Sequence, residues 1–502
     1  MKRTLVLPDT IAACHEMIIQ LMQQIEQLKR RSFSSLKDRA VNYEGPSLFE
    51  EFEKEAQLEA LKKIEKARRE VEAEATRRRE AAKAEVKKNR PKKYNTYGLS
   101  EEKRVEYPEG IDLEHYDVIG TDTSRLLHLA PQRLWVEVVE RPILRLKKDK
   151  HMPEPQILQA PSPHSAIGGC HVASDLLSTL VDNKYTHHLP EYRQVKMFAD
   201  YGLKLPTSTV NDWIHATAQA LYPLYESQRE AVMAGGYLQV DEVPWNIADR
   251  KGQPCRKGYA WQFRDVSQSN RGTFFYYYKG SRKGEIPRTQ LRDFRGAIQT
   301  DGYKVYDYFE DAPGIVLLAC MAHMRRKFVD AQSSNPLAGE MVKFIATLYS
   351  LEENLRSAGA SHEEIMEERK RLAVPILEGM RIWMDAAICT CTPSEPLAKA
   401  INYALSLWPR LVRYTEAGHY HIDSNPVEQG QRPTVLGRKN YLFSQNDRGA
   451  EDNAIFYTFI VSCEILGINT RLWLENALDK LRPDMEEEQL IELLPCNYKA
   501  VM

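Results

Sequence analysis

The hydrophobic and polar positions divide the chain into an N-terminal helical part, a β-rich stretch, and a long region where strands and helices alternate. In the first part, apolar residues follow each other in alternating steps of three and four: Ile11, Cys14, Ile18, Leu21, Ile25 and Leu28. This spacing is typical of a coiled-coil seam, and also of one amphipathic helix that packs on its own protein. Both interpretations stay open.

Residues 48–88 are dense in Glu, Lys, Arg and Ala, which predicts a long solvated helix with many charge pairs four residues apart. The helix is expected to end before Pro91. A basic cluster follows there, made of Lys87, Lys88, Arg90, Lys92 and Lys93. It suits either a phosphate-binding arm or a solvated linker. We assign residues 1–94 to a helical arm.

Residues 105–165 form a predicted β-rich segment, with alternating apolar positions around Pro142 and a proline-rich connector after them. Residues 166–234 return to helical periodicity. One helix is expected to run to about Tyr201, with a turn at Gly202. Residues at the start of the next helix would face DNA if this pair is a helix-turn-helix: Thr207, Ser208, Thr209, Asn211 and Asp212. Thr207 or Ser208 is its predicted cap. An ordinary helical hairpin fits the same pattern.

Three consecutive strands are predicted next, in YLQVDEVPWNI (237–247), GYAWQFRDV and RGTFFYYYK, because aromatic and β-branched residues dominate them. A short helix, a fourth strand ending at Asp301 and an apolar fifth strand, GIVLLACMAH, follow. This is the strand order of an RNase H-like core, in which the first and fourth strands are neighbours. Asp241 on the first strand is therefore expected beside Asp301.

A third acid, Glu428, stands near the start of a predicted helix, with Asn425 as the cap and Pro426 at the first helical position. A glutamate there also completes a capping box, and each aspartate alone suits a strand end or a turn. Together the three acids match the hard oxygen ligands of two Mg²⁺ ions that promote phosphoryl displacement. The long interval before Glu428 predicts an insertion of three helices at 335–420, either a DNA clamp or a structural cap.

Basic residues accompany these acids, and we expect them to contact phosphates: Arg325, Arg326, Lys327, Arg432, Arg438 and Lys439. His323 is assigned to bound DNA, with a buried, hydrogen-bonded histidine as the alternative. Cys320 and His323 make only half a zinc site, and the eight cysteines form no CxxC pair. Neither zinc nor disulfides are expected.

The bulk properties narrow the class of protein. A length of 502 residues implies several domains, and a net charge of −1 argues against a protein that coats DNA through overall charge. The sequence shows no signal-peptide core and no apolar run long enough for a bilayer. A cytoplasmic protein without membrane partners is expected.

Four motifs carry a resemblance to a known family: YLQVDEVPW, TDGYKVYD, CMAHMRRKF and HYHIDSNPVEQGQRPTVLGRKNYLFS. From about residue 105 onward, the chain resembles the insertion-sequence 66 family of bacterial transposases. The resemblance implies an RNase H-like domain with a D-D-E triad at Asp241, Asp301 and Glu428. It also implies a helical insertion before Glu428 and an N-terminal region that binds the terminal inverted repeats.

The sequence departs from the family pattern in three places. Residues 103–169 contain no cysteine, so the zinc-binding segment of many members is not carried over. Ser424 replaces the second residue of the usual DNN, and Ser444-Gln445 stands where Gly-Ser is common. None of these changes removes a catalytic carboxylate.

The predicted protein is thus a multi-domain α+β transposase with the catalytic core at 235–334 and 421–480 and a tail at 481–502. It is expected to use Mg²⁺, with Mn²⁺ as a substitute. Its expected partners are double-stranded DNA, further copies of itself and accessory transposition proteins, at the bacterial nucleoid. The alternatives are an RNase H-like nuclease without strand transfer and a non-catalytic DNA-binding regulator.

Overall fold

The computed structural model describes residues 172–249, 252–280, 282 and 284–499, most residues between 66 and 77, and short pieces between 134 and 167. The predicted coiled coil and the basic cluster at 87–93 lie outside the described residues. Of the β-rich segment, one antiparallel pair is described, Leu144–Arg145 with Ile157–Leu158. In the described part of the chain, no helix combines the length and the apolar composition that a membrane span requires.

Five strands form the central sheet: β1 Tyr237–Ile247, β2 Arg256–Asp265, β3 Thr273–Tyr278, β4 Gly296–Thr300 and β5 Ile315–Ala319. Their order is β3-β2-β1-β4-β5. The β1–β2 and β2–β3 pairs are antiparallel, whereas β4 is parallel to both β1 and β5. The mixed α/β architecture is confirmed, and β1 and β4 are neighbours as predicted.

The α-helices before and within the sheet region are α1 Ser174–Tyr185, α2 Glu191–Asp200, α3 Thr207–Ala220, α4 Tyr222–Met233, α5 Glu285–Gln290 and α6 Met321–Gln332. Those after it are α7 Ala338–Ser357, α8 His362–Glu368, α9 Val374–Ala387, α10 Pro396–Val412, α11 Asn425–Tyr441, α12 Asp447–Leu466, α13 Thr470–Lys480 and α14 Glu487–Leu493. Short 3₁₀ turns at Lys304–Phe309, Ile388–Thr390, Arg413–Glu416 and Pro495–Asn497 complete the set.

Helix α12 packs on the β3 side of the sheet, and it is buried along most of its length. Two of its hydroxyl groups bond to the edge strand: the Thr458 hydroxyl accepts from the Phe275 amide, and the Ser462 hydroxyl accepts from the Thr273 amide, both at 2.9 Å. Because these bonds satisfy the outer amides of β3, the helix closes this edge of the sheet.

An apolar core joins α6 to the insertion at 335–420. In this core, Met324 and Phe328 pack with residues of α7, α9 and α10. Helices α8 and α9 are continuous through the π turn Arg369–Ala373. The insertion therefore consists of three helical segments, as the periodicity predicted. Part of the described helix at 66–77 also joins this core, through Ala67 and Val71.

The two helices that were predicted around Gly202 are α2 and α3, and Gly202 has the positive φ of 89° that favours glycine. The predicted cap is wrong. Pro206 precedes α3 with extended backbone, and no side chain caps the helix. Because proline fixes φ near the value needed at this boundary, the helix begins at Thr207 without a hydroxyl acceptor. The role of the pair as a helix-turn-helix stays a prediction.

Segment 481–502, expected to be a tail, contains α14. The end of α14 is held to α13, because the indole N–H of Trp473 donates to the Leu493 carbonyl at 3.0 Å. Leu494 is 1% exposed and belongs to the apolar core.

Candidate active site

Two of the three predicted acids lie at the same level of the sheet. Gln239 of β1 is paired in register with Gln299 of β4, and Asp241 and Asp301 each follow two residues later. Parallel strands keep their register, so Asp301, directly after the end of β4, lies level with Asp241 within β1. The backbone therefore brings Asp241 and Asp301 side by side.

Buried glutamines connect the strands that carry the two aspartates to the segment before the third acid, Glu428. The Gln239 amide donates to Gln299 Oε1 at 2.8 Å and to the Asp423 carbonyl at 2.9 Å, and Gln239 Oε1 accepts from the Val427 amide at 3.1 Å. Gln299 in turn donates to the His421 carbonyl at 2.9 Å. These bonds fix the start of α11 beside β1 and β4, and so they place Glu428 near the two aspartates.

The predicted cap of α11 is wrong by one residue. Ser424 occupies the cap position and makes no side-chain cap bond, while Asn425 is the first helical residue. Asp423 takes over the capping role, because its Oδ1 accepts from the Asn425 amide at 3.0 Å. Glu428 is consequently the fourth helical residue rather than the third, so it is not placed to complete a capping box.

Asp241 and Glu242 have strongly perturbed carboxyl groups. Burial, helped by the negative charges of Glu242, Asp301 and Glu428, raises the pKa of Asp241 to about 8. Burial also raises the pKa of Glu242 to about 7, against the opposing pull of Arg282. Several carboxylates held this close repel each other unless a proton or a cation lies between them.

The sequence did not predict a group of residues that contact Glu242, the residue after Asp241. The Glu242 carboxylate accepts from the Arg282 guanidinium and, at 3.0 Å, from the Tyr306 hydroxyl. Arg282 also reaches Asp301, with Nη2 3.7 Å from Oδ2, and stacks over the Tyr303 ring. The only sequence signal was the Asp-Glu pair on β1, where alternation sends the second acid to the opposite face.

Glu428 faces α6. Its Oε1 lies 3.6 Å from His323 Nδ1, and its Oε2 lies 3.6 Å from Arg326 Nη2. Burial lowers the pKa of His323, which favours the neutral imidazole. Cys320 precedes the same helix, and its sulfur accepts from the Ser424 amide at 3.2 Å. Burial raises the pKa of this thiol to about 11.

The donors at this site fit a divalent metal ion. His323 Nδ1 and Glu428 Oε1 are both buried and lack a hydrogen-bond partner among the described residues. One ligand atom from each of Cys320, His323 and Glu428 lies within 4.8 Å of the others. Buried polar atoms without partners are costly, so their convergence indicates a cation site.

Metal-free protein is expected to lose stability as the pH rises from about 4 to about 8. The folded state holds a proton on Asp241 that the unfolded chain has released, so unfolding becomes easier as the pH climbs through this window. Thermal unfolding in EDTA at several pH values measures the slope, and Mn²⁺ should reduce it. The Asp241→Asn variant is the control and should show a flatter profile. Equal slopes in both proteins would contradict the assignment.

The predicted phosphate-contacting residues take different positions. Arg325, Arg326 and Lys327 are exposed on α6, and Arg432 and Lys439 are exposed on α11. Arg438 instead donates to the Pro244 carbonyl, which ties α11 to β1. The bond to Pro244 therefore explains the position of Arg438 without any contact to DNA.

The residues predicted for DNA reading lie together at the start of α3. Thr207, Ser208, Asn211 and Asp212 are exposed, and Thr209 is partly buried. Thr207, Asn211 and Asp212 line a cleft of about 440 Å³, whose other wall is the chain from Asn440 to Asn446. The beginning of α3 therefore lies beside the C-terminal end of α11, the helix that carries Glu428.

Comparisons with known proteins show the family of this chain. Residues 169–452 match the family described as "Transposase IS66 family". The chain is 29% identical over 395 residues to the uncharacterized protein y4jD of Sinorhizobium fredii, covering 76% of each chain. It is 27% identical over 403 residues to y4hP of the same organism, covering 76% of this chain and 71% of that one. The chain belongs to the IS66 family of transposases.

Proposed function

We propose that the protein cuts the ends of its DNA element and joins the resulting 3′ hydroxyls to target DNA. The catalytic core, at 235–334 and 421–480, is RNase H-like in this proposal. The observation that carries it is the shared register of Gln239 and Gln299, which sets Asp241 and Asp301 side by side.

Asp241, Asp301 and Glu428 would act as the ligands of the metal ions. Mg²⁺ held there, or Mn²⁺ in its place, would supply positive charge to the attacking and leaving oxygens of an in-line displacement. The raised pKa of Asp241 supports this role, because the carboxyl gives up its proton readily only when a cation compensates the nearby charges.

The DNA lies across the exposed basic residues of α6 and α11, while the region 166–234 recognises the terminal repeats through α3. Exposure of Arg325 and Lys327 on the helix that carries His323 supports the first part. Phosphate contacts hold the duplex in place and carry no sequence information.

A strand-transfer assay with a labelled element end tests the proposal. Joined product in the presence of Mg²⁺ or Mn²⁺ supports a transposase. Cut product without joining would instead identify a nuclease. A mobility shift without either product would identify a regulator that binds DNA.

The double substitution Arg432→Ala/Lys439→Ala is expected to weaken binding of every duplex by a similar factor. Each lost phosphate contact reduces the slope of log affinity against log salt by about 1. Fluorescence anisotropy over a series of salt concentrations measures this slope. Lys480→Ala, an exposed lysine at the end of α13, is the matched control. An unchanged slope in the double variant would remove these residues from the DNA surface.

A further inference from the structure

Cys320, His323 and Glu428 form a compact group at the junction of β5 with α6. Cys320 is the last residue before α6, and His323 is the third residue of the helix. Positions three apart in a helical turn share a face, so the thiol and the imidazole both point toward Glu428 of α11. The short motif thus carries two donors toward one carboxylate.

The separation between the histidine and the glutamate excludes an ordinary hydrogen bond. His323 Nδ1 and Glu428 Oε1 lie 3.6 Å apart, beyond normal hydrogen-bond length. Neither atom has another partner among the described residues, although both are buried. Metal–ligand bonds of about 2.0–2.3 Å place two ligands of one ion roughly 3.0–3.7 Å apart, so the pair is spaced as two ligands.

The chemistry of the three donors selects the ion. Mg²⁺ prefers oxygen ligands and keeps several waters, whereas imidazole and thiolate favour transition metals. The Ser424 amide already donates to the Cys320 sulfur at 3.2 Å, and such a bond stabilises a thiolate. Nitrogen, sulfur and oxygen donors together suit Mn²⁺, Co²⁺ or Zn²⁺, with the later metals bound more tightly.

We propose that Cys320, His323 and Glu428 bind one divalent transition-metal ion in preference to Mg²⁺. The sulfur–metal bond forms as the thiol proton leaves for solvent, so binding releases one proton at the cysteine. The proposed metal binding rests only on the positions of Cys320, His323 and Glu428. Only its consequence rests on the proposed function: the ion that Glu428 would hold for strand cleavage is Mn²⁺ or another transition metal rather than Mg²⁺.

Titration of the reduced full-length protein with Co²⁺ tests the proposal. We expect one equivalent of Co²⁺ to give a thiolate-to-cobalt charge-transfer band, which Zn²⁺ removes and an excess of Mg²⁺ does not. Cys320→Ser should abolish the band. His323→Gln should keep the band and weaken Co²⁺ binding by at least about 10-fold.

The matched control is the double substitution Cys389→Ser/Cys391→Ser, which removes two neighbouring thiols in the insertion and should leave the band intact. Loss of the band in this control, or its persistence in Cys320→Ser, would overturn the proposal. If Cys320→Ser does not fold, the His323→Gln variant tests the proposal instead. An unchanged Co²⁺ affinity in His323→Gln would also overturn the proposal.

The proposed function and this site fail in different ways. Asp241→Asn should lose cleavage and keep the cobalt band. If wild-type protein joins DNA with Mg²⁺ but gives no cobalt band, the proposed transposase function is retained and the metal site is rejected. A cobalt band that depends on Cys320, in protein that neither cuts nor joins with any ion, would reject the proposed function and retain the site.

Discussion

Replacing Asp301 by asparagine is expected to reduce metal-dependent cleavage of an element end by at least about 100-fold, with duplex binding unchanged. The amide keeps the shape of the side chain and removes its negative charge. Its oxygen can still accept from the Tyr303 amide, as Asp301 Oδ1 does at 2.8 Å. The Tyr403 hydroxyl continues to donate to the backbone carbonyl of residue 301, at 2.7 Å in the wild type.

Cleavage of a labelled duplex with Mg²⁺ or Mn²⁺ measures the loss, and a mobility shift measures binding. Asp311→Asn is the matched control, since Asp311 is exposed ten positions further along the chain. If wild type and Asp301→Asn cut equally well, Asp301 is not a metal ligand and the proposed triad is wrong. A variant that loses binding as well would point to a structural role instead.

The sequence predicted the elements that depend on local pattern. The strand β1 occupies 237–247 as expected, because it is rich in aromatic and β-branched residues, all of which are buried. The neighbouring positions of β1 and β4 also followed from the order of the elements. The insertion appeared as three helical segments, since their apolar residues recur with helical spacing.

The contacts that hold Glu428 in place were not predictable in this way. The bond from Gln239 to the Asp423 carbonyl spans 184 positions, and the one from Gln299 to the His421 carbonyl spans 122. A glutamine within an apolar strand is the only local sign of such a bond. Its partner is fixed by tertiary structure, which no periodicity encodes.

One buried cation helps to tie the insertion to the active site. Arg369, 0% exposed in the π turn, forms a two-pronged pair with Glu352 at 2.8 and 2.7 Å. It also donates to the carbonyls of Tyr414, Ala417 and Tyr420, at 2.7, 2.7 and 2.8 Å. This stretch leads into His421 and Asp423, which the buried glutamines bind. The insertion therefore helps to set the position of α11.

Arg369→Met is expected to destabilise the protein by about 3–5 kcal/mol, because the buried Glu352 carboxylate keeps only Arg356, 3.8 Å away, as a partner. Methionine has a similar length, so the loss reflects the missing charge and donors more than a cavity. Urea unfolding followed by tryptophan fluorescence measures the effect. Hydrogen exchange should rise most in residues 414–420, where three carbonyls lose their donor.

Two further variants separate the buried pair from surface charge. Arg381→Met removes an exposed arginine of α9 that pairs with Asp385 at 2.9 Å, and it should change stability by less than about 1 kcal/mol. Adding Glu352→Gln to Arg369→Met should recover part of the lost stability, since no uncompensated charge then remains. If Arg369→Met is as stable as Arg381→Met, the buried pair does not hold the insertion to the segment before Glu428. That segment would then be held by its other bonds, such as those to Gln239, Gln299 and Tyr349.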